Sequence, residues 1–199
     1  MILNLIKKIP IDLGQGSMRY KTKGKIIALS FILKNGQNKN ALDIGCRGGY
    51  FSKLLESYGY NTTSTDIEKS YDKCEVVNAN DPLPYESNSF NVIWCSEVIE
   101  HLKNPQETLT EFKRILKQDG VAILTTPNSR FWIFRILGLF GLTPQKLQRE
   151  DHLHFFGIKD IEKFNPEYIY GFFPYMILKF RINKMINLLS PTFVFIIKK

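Results

Sequence analysis

The fold is decided by residues 41–51, ALDIGCRGGYF. Residues Ala41 to Ile44 predict a short buried strand, which ends in a glycine turn from Gly45 to Gly49. Beyond the turn, apolar residues recur at helical spacing and stop at Gly59. A strand, a glycine turn and a helix in this order form the first unit of an open α/β sheet, whose ligands bind at the carboxyl ends of the strands. The apolar positions of the helix are Phe51, Leu54, Leu55 and Tyr58.

Strands and helices continue to alternate downstream of this unit. A helix that begins at Pro105 carries apolar residues on one face and is expected to end at Gly120. The run Phe90–Cys95 is typical of a strand that is buried on both faces. This alternation from residue 41 to 126 predicts a doubly wound, mostly parallel α/β sheet. The further strands are Thr62–Asp66, Cys74–Asn78, Phe90–Cys95 and Val121–Thr126.

The second part of the chain is less regular. An apolar stretch at Phe131–Leu142 is either a lid, an interfacial helix or core. We expect one domain over residues 1–199, with a cofactor-binding half at 19–126 and a substrate-recognition half at 127–199. The elements expected in addition are a basic helix at about 19–34, a helix near Ile158–Phe164, a strand at Tyr168–Phe172, a basic amphipathic helix at about 175–189 and a last strand at Thr192–Ile197.

Composition limits the class of protein. The chain has 199 residues, of which 44% are hydrophobic and 23% are charged, values that are ordinary for a globular protein and exclude a disordered or collagen-like chain. The three cysteines have no spacing typical of a zinc site or a disulfide framework, so a reducing compartment is expected. We find no secretory signal and no apolar run of membrane-spanning length. The sequence therefore predicts a cytoplasmic protein.

The positive charge lies at the two ends of the sequence. The net charge is +8; residues 1–40 carry eight Lys and Arg against Asp12 alone, and residues 176–199 carry five basic and no acidic residues. Basic ends of this kind suit an anionic membrane surface or a phosphorylated substrate, and they are equally compatible with solvated lysines. No RNA-binding signature accompanies the charge, so we expect no nucleic-acid partner. Peripheral contact with an anionic membrane is the hypothesis that follows.

The glycine turn also indicates the type of ligand. Asp66 ends the second strand, where a carboxylate can accept both hydroxyls of a ribose. A dinucleotide fingerprint needs glycine at 45, 47 and 50, but only Gly45 matches, since Arg47 and Tyr50 occupy the other positions. Asp43 two residues before the first glycine fits S-adenosylmethionine better, because that ligand has no pyrophosphate to cradle.

Several motifs in order resemble those of class I S-adenosylmethionine-dependent methyltransferases. The run Leu42–Phe51 resembles the first motif of that family, and Leu83–Ile93 resembles its "LPF…sFD" segment. Residues Asp151–Phe156 resemble the later "DHxxFF" element of the type 11, ubiquinone-methyltransferase-like group. The resemblance spans about residues 41–165 and implies a Rossmann-like sheet of seven strands with an antiparallel last strand. The intervening matches are Ser96–Leu102, Arg114–Lys117, Gly120 and Thr125–Asn128.

The resemblance implies a role for each matching position in binding S-adenosylmethionine. Asp43 and the backbone from Gly45 to Gly49 would hold the methionine part, and Asp66 the ribose. Asn78, with Ala79 beside it, stands where the family often has an aspartate that reads the adenine amino group. Cys95 would offer its backbone carbonyl to the methionine amine.

Acidic residues and histidines lie in the sequence segments that are expected to surround the site of methyl transfer. The box that contains Glu97, Glu100 and His101 is associated with a divalent cation in ubiquinone-biosynthesis O-methyltransferases, and the alternative is that Glu100 and His101 orient the loop. One of His101, His152 and His154 is a candidate general base, because histidine titrates near neutrality. His152 or His154 is alternatively a structural latch.

The functional prediction is a methyltransferase that acts on a small-molecule or amphipathic acceptor. O-methylation is favoured, with a quinone precursor, a lipid-linked intermediate or a sugar intermediate as acceptor. Arg47 departs from the family, which usually has glycine there; either Gly48 absorbs the turn or the arginine points outward. The departure makes a non-catalytic binding module the first alternative, and an NAD-dependent oxidoreductase ranks third.

Overall fold

The computed structural model describes residues 22–148, 151–173 and 180–199. Eight strands form a sheet in the order β3-β2-β1-β4-β5-β8-β6-β7. Strands β1 to β5 are parallel, and β8 runs antiparallel to β5, with Val121 opposite Lys198 and Pro127 opposite Thr192. The strands are β1 (Asn40–Ile44), β2 (Asn61–Asp66), β3 (Cys74–Val76), β4 (Phe90–Ser96), β5 (Leu116–Pro127), β6 (Tyr168–Phe172), β7 (Arg181–Ile182) and β8 (Thr192–Lys198).

The helices cover both faces of this sheet. Alternate residues of β4 point to opposite faces, so Ile93 and Cys95 join the core under α3, whereas Val92 and Trp94 join the core under α1 and α2. Burial on both faces explains why β4 is apolar almost throughout. The helices are α1 (Lys23–Leu29), α2 (Tyr50–Ser57), α3 (Pro105–Ile115), α4 (Trp132–Gly138), α5 (Pro144–Leu147), α6 (Ile158–Glu162) and α7 (Ile186–Leu189), with a 3₁₀ turn at Ile99–His101.

The predicted doubly wound sheet is confirmed, including its antiparallel last strand, and the short strand β7 makes eight strands instead of seven. One helix boundary was wrong. Helix α3 ends at Ile115, not at Gly120, and β5 begins at once with Leu116. Glycine is needed at position 120 for space and not to end the helix, because a Cβ there would lie only 2.8 Å from the carbonyl oxygen of Lys117.

The basic helix predicted at about 175–189 is also wrong in the residues that the structure describes. Arg181 and Ile182 form β7, which pairs with β6, and only Ile186–Leu189 is helical. The Arg181 guanidinium lies 4.9 Å from the centroid of the Tyr170 ring, so this strand is held by contacts with β6 that the local helical pattern does not reveal. Residues 1–21, 149–150 and 174–179 lie outside the described residues, and with them four of the eight basic residues of 1–40.

Candidate functional site

The glycine turn lies at the carboxyl end of β1. Gly45 and Gly49 both adopt left-handed backbone conformations, with φ of 77° and 72°. A Cβ on Gly45 would overlap the Val98 side chain, and one on Gly49 would lie 2.6 Å from the Tyr71 ring. Glycine is therefore required at both positions, by conformation and by space.

Arg47 adopts a left-handed backbone conformation in the glycine turn, which is strained for a residue with a Cβ. Its φ is 45°, and Gly48 is not among the residues with positive φ, so the expectation that Gly48 absorbs the turn is wrong. The Arg47 backbone N–H donates to Oδ2 of Asp66 at 2.9 Å. The turn is thus tied to the carboxylate that follows β2.

Asp66 lies between two backbone donors. Besides the Arg47 N–H, it accepts the Ile67 N–H on Oδ1 at 2.8 Å. Each carboxylate oxygen retains a further lone pair for the hydroxyls of a ribose. Ile67 is 64% exposed beside this carboxylate and offers an apolar surface to a base. Sequence reasoning missed Ile67, although an apolar residue directly after the acidic end of a polar strand was a usable signal.

Asp43 is buried under the turn. Ser52 Oγ donates to its Oδ2 at 2.6 Å, which ties the end of β1 to the first turns of α2. Burial raises the pKa of the Asp43 carboxyl from 3.8 to about 7, and the Ser52 hydrogen bond opposes the shift. The sequence analysis did not identify Ser52, whose only local signal was its position three residues after Gly49.

The positions expected to meet the adenine and the methionine amine lie along the same edge. The Val77 N–H donates to the Asp66 carbonyl at 2.9 Å, and the exposed Asn78 that follows donates from its side-chain amide to Asp81 at 3.0 Å. The carbonyl of buried Ala79 accepts the Thr108 hydroxyl at 2.9 Å. Cys95 is fully buried, and burial raises the pKa of its thiol well above the usual value, which opposes thiolate chemistry.

Glu97 and Glu100 have different surroundings in the turn after β4. Oε1 of Glu97 accepts the Thr125 hydroxyl at 3.0 Å. Glu100 is 1% exposed, and its Oε2 accepts the Thr126 hydroxyl at 3.0 Å. Its Oε1 has no hydrogen-bond partner among the described residues. Burial, and to a lesser extent Glu97, raise the pKa of Glu100 well above its usual value.

Two of the three histidines meet at that buried carboxyl. Nε2 of His101 lies 4.0 Å and Nε2 of His152 3.9 Å from Oε1 of Glu100, and the two rings are 4.7 Å apart. Nδ1 of His101 lies 2.9 Å from the Asp151 carbonyl oxygen. His154 is placed otherwise, because its Nε2 contacts the Leu102 carbonyl at 2.8 Å and its ring stacks on Phe156.

The segment that carries His152 is fastened to the turn after β4. The backbone N–H groups of Leu153 and His154 both donate to the Glu100 carbonyl, at 2.9 and 3.0 Å. The ligand atoms of Glu100, His101 and His152 lie within 4.8 Å of one another. One carboxylate and two imidazoles with an unpartnered buried oxygen fit a divalent cation. Glu97 is outside this group in the structure.

The α4–α5 segment (residues 132–147) follows the carboxyl end of β5. Its residues Phe134 and Leu147 form a small core together with Phe131, which directly precedes the segment. Three apolar residues of the segment, at spacings of three and one, are exposed to solvent: Ile136 by 48%, Leu139 by 84% and Phe140 by 76%. In the part of the chain that the structure describes, no helix has the length and apolar character needed to cross a bilayer.

Comparisons with known sequences agree with this arrangement. The profile of a methyltransferase domain family matches residues 17–168. A ubiquinone biosynthesis O-methyltransferase of Coxiella burnetii is 27% identical over 127 residues, which are 55% of this chain and 54% of that protein. The protein of the same name from Rickettsia typhi is 32% identical over 110 residues, 48% of this chain and 45% of that protein. The chain spans about half the length of the curated relatives it matches.

Solved structures share the fold at low sequence identity. A S-adenosylmethionine-dependent methyltransferase from Mesorhizobium loti superposes with a TM-score of 0.68 at 10% identity, covering 90% of this chain and 99% of that one. A further one from Archaeoglobus fulgidus gives a TM-score of 0.61 at 15% identity, with coverage of 92% and 97%. The fold described above is thus one that these structures have in common with this chain.

Proposed function

The chain belongs to the methyltransferase domain family, and on this premise we propose that it transfers the methyl group of S-adenosylmethionine to a hydroxyl of a small, amphipathic acceptor. One observation carries the proposal. Val98 lies against Gly45 of the glycine turn, and the cluster of Glu100, His101 and His152 begins two residues later. The expected cofactor site and a group that can accept a proton therefore share one edge of the sheet.

The cofactor half supports binding of a nucleoside with an amino-acid tail. The Asp66 carboxylate and the apolar Ile67 would hold the ribose and the base, and the glycine turn leaves room for close approach of the methionine part. S-adenosylmethionine, when bound, supplies an electrophilic methyl group on a positively charged sulfur. The chain's own task is to orient the acceptor oxygen toward that methyl group, so catalysis rests mainly on proximity and alignment.

The histidine cluster supports removal of the proton from the acceptor hydroxyl. His101 is partly exposed, and its Nδ1 faces the Asp151 carbonyl, so Nε2 is the nitrogen available as a base. An imidazole at this place would take the proton as the oxygen attacks. Glu100 and His101 also fit a divalent cation, which would supply Lewis-acid chemistry by lowering the pKa of the hydroxyl.

The α4–α5 segment supports an acceptor with an apolar part. Its exposed residues Ile136, Leu139 and Phe140 lie beside exposed Arg135, a combination that suits the surface of an anionic membrane. The α4–α5 segment connects the end of β5 to residues 151–154, which include His152. An acceptor held in lipid would therefore enter the site close to the histidine cluster. The acceptor classes that we propose are a prenylated quinone precursor, a lipid-linked intermediate and a sugar intermediate, in this order.

An assay with matched acceptors tests the proposal. The protein is incubated with isotopically labelled S-adenosylmethionine and either a prenylated catechol, the same catechol without the prenyl chain, or a sugar nucleotide. We expect label in the methyl ether of the prenylated catechol, and less with the shorter analogue. The Asp66→Ala variant is the control for the background. Release of S-adenosylhomocysteine at the rate of this control with every acceptor would contradict the enzymatic proposal.

A non-catalytic binding module is the second candidate, and the strained backbone of Arg47 in the cofactor turn is the observation that favours it. Such a protein would bind S-adenosylmethionine without turning over any of the three acceptors. An NAD-dependent oxidoreductase has no comparable support, since positions 47 and 50 are Arg47 and Tyr50 where a dinucleotide site needs glycine.

A further inference from the structure

A buried amide directly after the α4–α5 segment has no hydrogen-bond partner for its nitrogen. Gln148 follows α5 and is 2% exposed, and its Oε1 accepts the hydroxyl of Ser129 at 3.1 Å. Nε2 of the same amide donates to none of the residues that the structure describes. Polar groups buried this deeply are nearly always hydrogen-bonded, because an unpaired donor loses its bonds to water and gains none in return. The unpaired nitrogen therefore requires an explanation.

A second buried amide nearby shows how a purely structural side chain is used. Asn128, just after β5, is fully buried, and its Nδ2 donates to three backbone carbonyls between residues 186 and 190 at 3.2, 3.0 and 2.7 Å. Its Oδ1 accepts the backbone N–H of Arg130 at 2.9 Å. Both polar atoms of the Asn128 amide are thus bonded within the fold, whereas Gln148 uses only its oxygen.

Gln148 lies at the edge of the sheet where the acceptor is expected. Its partner Ser129 follows the carboxyl end of β5, and ligands of open α/β sheets bind at this edge. The Ser129 backbone N–H donates to the carbonyl of Phe156 at 2.9 Å, which connects this point to residues 151–156. The unpaired donor is therefore located where the α4–α5 segment, the end of β5 and the stretch that carries His152 meet.

We propose that Gln148 determines acceptor specificity, because its Nε2 donates a hydrogen bond to an oxygen of the acceptor other than the one that is methylated. The inference rests on the proposed function and deepens it, since it names a group that the acceptor carries. Ser129 is a positioning residue in this arrangement. Its hydroxyl occupies Oε1 of Gln148 and so fixes which end of the amide is left for the acceptor.

The oxygen that receives this hydrogen bond is uncharged, as in a carbonyl, a hydroxyl or an ether. The amide is neutral, and a carboxylate or phosphate buried against one neutral donor would lose far more solvation than the hydrogen bond returns. An uncharged oxygen loses much less and gains a directional bond. Among the acceptor classes proposed above, an aromatic ring with a second oxygen meets this requirement. A group that presents only phosphate oxygens does not.

The acceptor reaches Gln148 when the α4–α5 segment moves outward, because Nε2 is shielded from solvent in the structure. The segment is held by the small core of Phe131, Phe134 and Leu147, which is separate from the two large cores that cover the sheet. Parts of a protein with few buried apolar contacts open locally at a lower cost than global unfolding. An acceptor with an apolar part replaces the contacts that are lost on opening.

The experiment compares the binding of two probes in the presence of S-adenosylhomocysteine, so that no methyl transfer occurs. The probes are the prenylated catechol and the prenylated phenol that lacks its second hydroxyl. The unaltered protein should bind the catechol about 5- to 150-fold more tightly, which corresponds to roughly 1–3 kcal/mol for a hydrogen bond to a buried group. Gln148→Met keeps the length of the side chain without a donor and should lose this preference. A preference that survives in Gln148→Met would overturn the inference.

Gln145→Met is the matched control. Gln145 belongs to the same segment and is exposed, so this variant should keep the preference for the catechol. A third probe tests the charge of the bonded group, because it carries a carboxylate in place of the second hydroxyl. It should bind no more tightly than the phenol. Tighter binding of the carboxylate than of the catechol would overturn the assignment of an uncharged oxygen.

The stability of the free protein gives a readout that a structural role of Gln148 would not produce. Ser129→Ala combined with Gln148→Met removes both partners of the buried hydrogen bond together with the unpaired donor. Replacing both partners by apolar groups of similar shape is nearly neutral or stabilising, so the unfolding temperature should stay unchanged or rise. A clear fall in the unfolding temperature would show that the pair serves the fold, and would overturn the inference.

Binding of S-adenosylhomocysteine, measured by calorimetry on the same samples, distinguishes this inference from the proposed function. Cofactor binding together with equal affinity of the unaltered protein for the catechol and the phenol would refute the Gln148 donor alone. Absence of cofactor binding would refute the methyltransferase proposal. The unfolding temperature of the double variant would then still decide whether the unpaired donor serves the fold.

Discussion

Replacement of Arg47 by glycine should stabilise the protein. Arg47 has a φ of 45°, a left-handed conformation in which the Cβ of any residue other than glycine is strained. The contact that ties the turn to Asp66 uses the Arg47 backbone N–H and survives the substitution. Arg47→Gly therefore removes strain without removing the hydrogen bond.

The size of the effect follows from two opposing contributions. The left-handed conformation costs a residue with a Cβ roughly 1–2 kcal/mol. Glycine at this position lowers the stability by about 0.4–1 kcal/mol, because it increases the conformational entropy of the unfolded chain. The net gain in the free energy of unfolding is about 0.5–1 kcal/mol, which corresponds to roughly 1–4 °C in the unfolding temperature of a chain of this size.

Thermal unfolding and calorimetry with S-adenosylhomocysteine measure both consequences, and Arg47→Ala is the matched control. The alanine variant loses the guanidinium but keeps the Cβ, so it should gain no stability. We expect Arg47→Gly to bind the ligand as well as the unaltered protein or better. A lower unfolding temperature for Arg47→Gly would refute the strain argument. A loss of ligand affinity shared by both variants would show that the guanidinium contacts the ligand.

Three further variants test other parts of the account. Asp66→Ala should weaken binding of S-adenosylmethionine by roughly 1.5–3 kcal/mol, which is the usual contribution of hydrogen bonds to a charged group. If calorimetry gives the same affinity for this variant and for the unaltered protein, the role of Asp66 is refuted. Because the folded pKa of Asp43 lies above its ordinary value, the folded protein holds a proton between about pH 4 and 7 that the unfolded chain has lost, so the free energy of unfolding should fall as the pH rises through this range. Asp43→Asn should flatten that dependence in denaturant titrations, and an unchanged slope would contradict the assignment. Replacing both Leu139 and Phe140 by serine should reduce co-sedimentation with anionic vesicles by tenfold or more at low salt, since each exposed apolar side chain contributes about 1.5–3 kcal/mol when buried in lipid. Sedimentation of this variant equal to that of the unaltered protein would refute the membrane contact of the α4–α5 segment.

The sheet could be predicted from the sequence because its signals are local. Strand β4 is apolar almost throughout, since helices cover both of its faces, and the turn after β1 shows its glycines directly. The end of α3 could not be placed, because Gly120 resembles a helix terminus in sequence. Only the fold shows that this glycine admits the Lys117 carbonyl.

The parts of the candidate site that are formed by residues close together in the sequence could be predicted. The parts that are formed by residues from two distant segments could not. Asp66 and the glycine turn follow from the order of strand, turn and helix. The meeting of Glu100 with His152 depends on backbone hydrogen bonds between distant segments, which have no signature in local sequence. For the same reason Glu97, which is close to Glu100 in sequence, was grouped with it, whereas the structure pairs Glu97 with Thr125.

Calorimetric titration with S-adenosylmethionine tests the central claim most directly. The glycine turn, Asp66 and Ile67 predict saturable binding of one S-adenosylmethionine per chain, with competition from S-adenosylhomocysteine. NAD, titrated in parallel, should produce no saturable heat. Absence of binding at millimolar S-adenosylmethionine, or saturable binding of NAD in its place, would contradict the account.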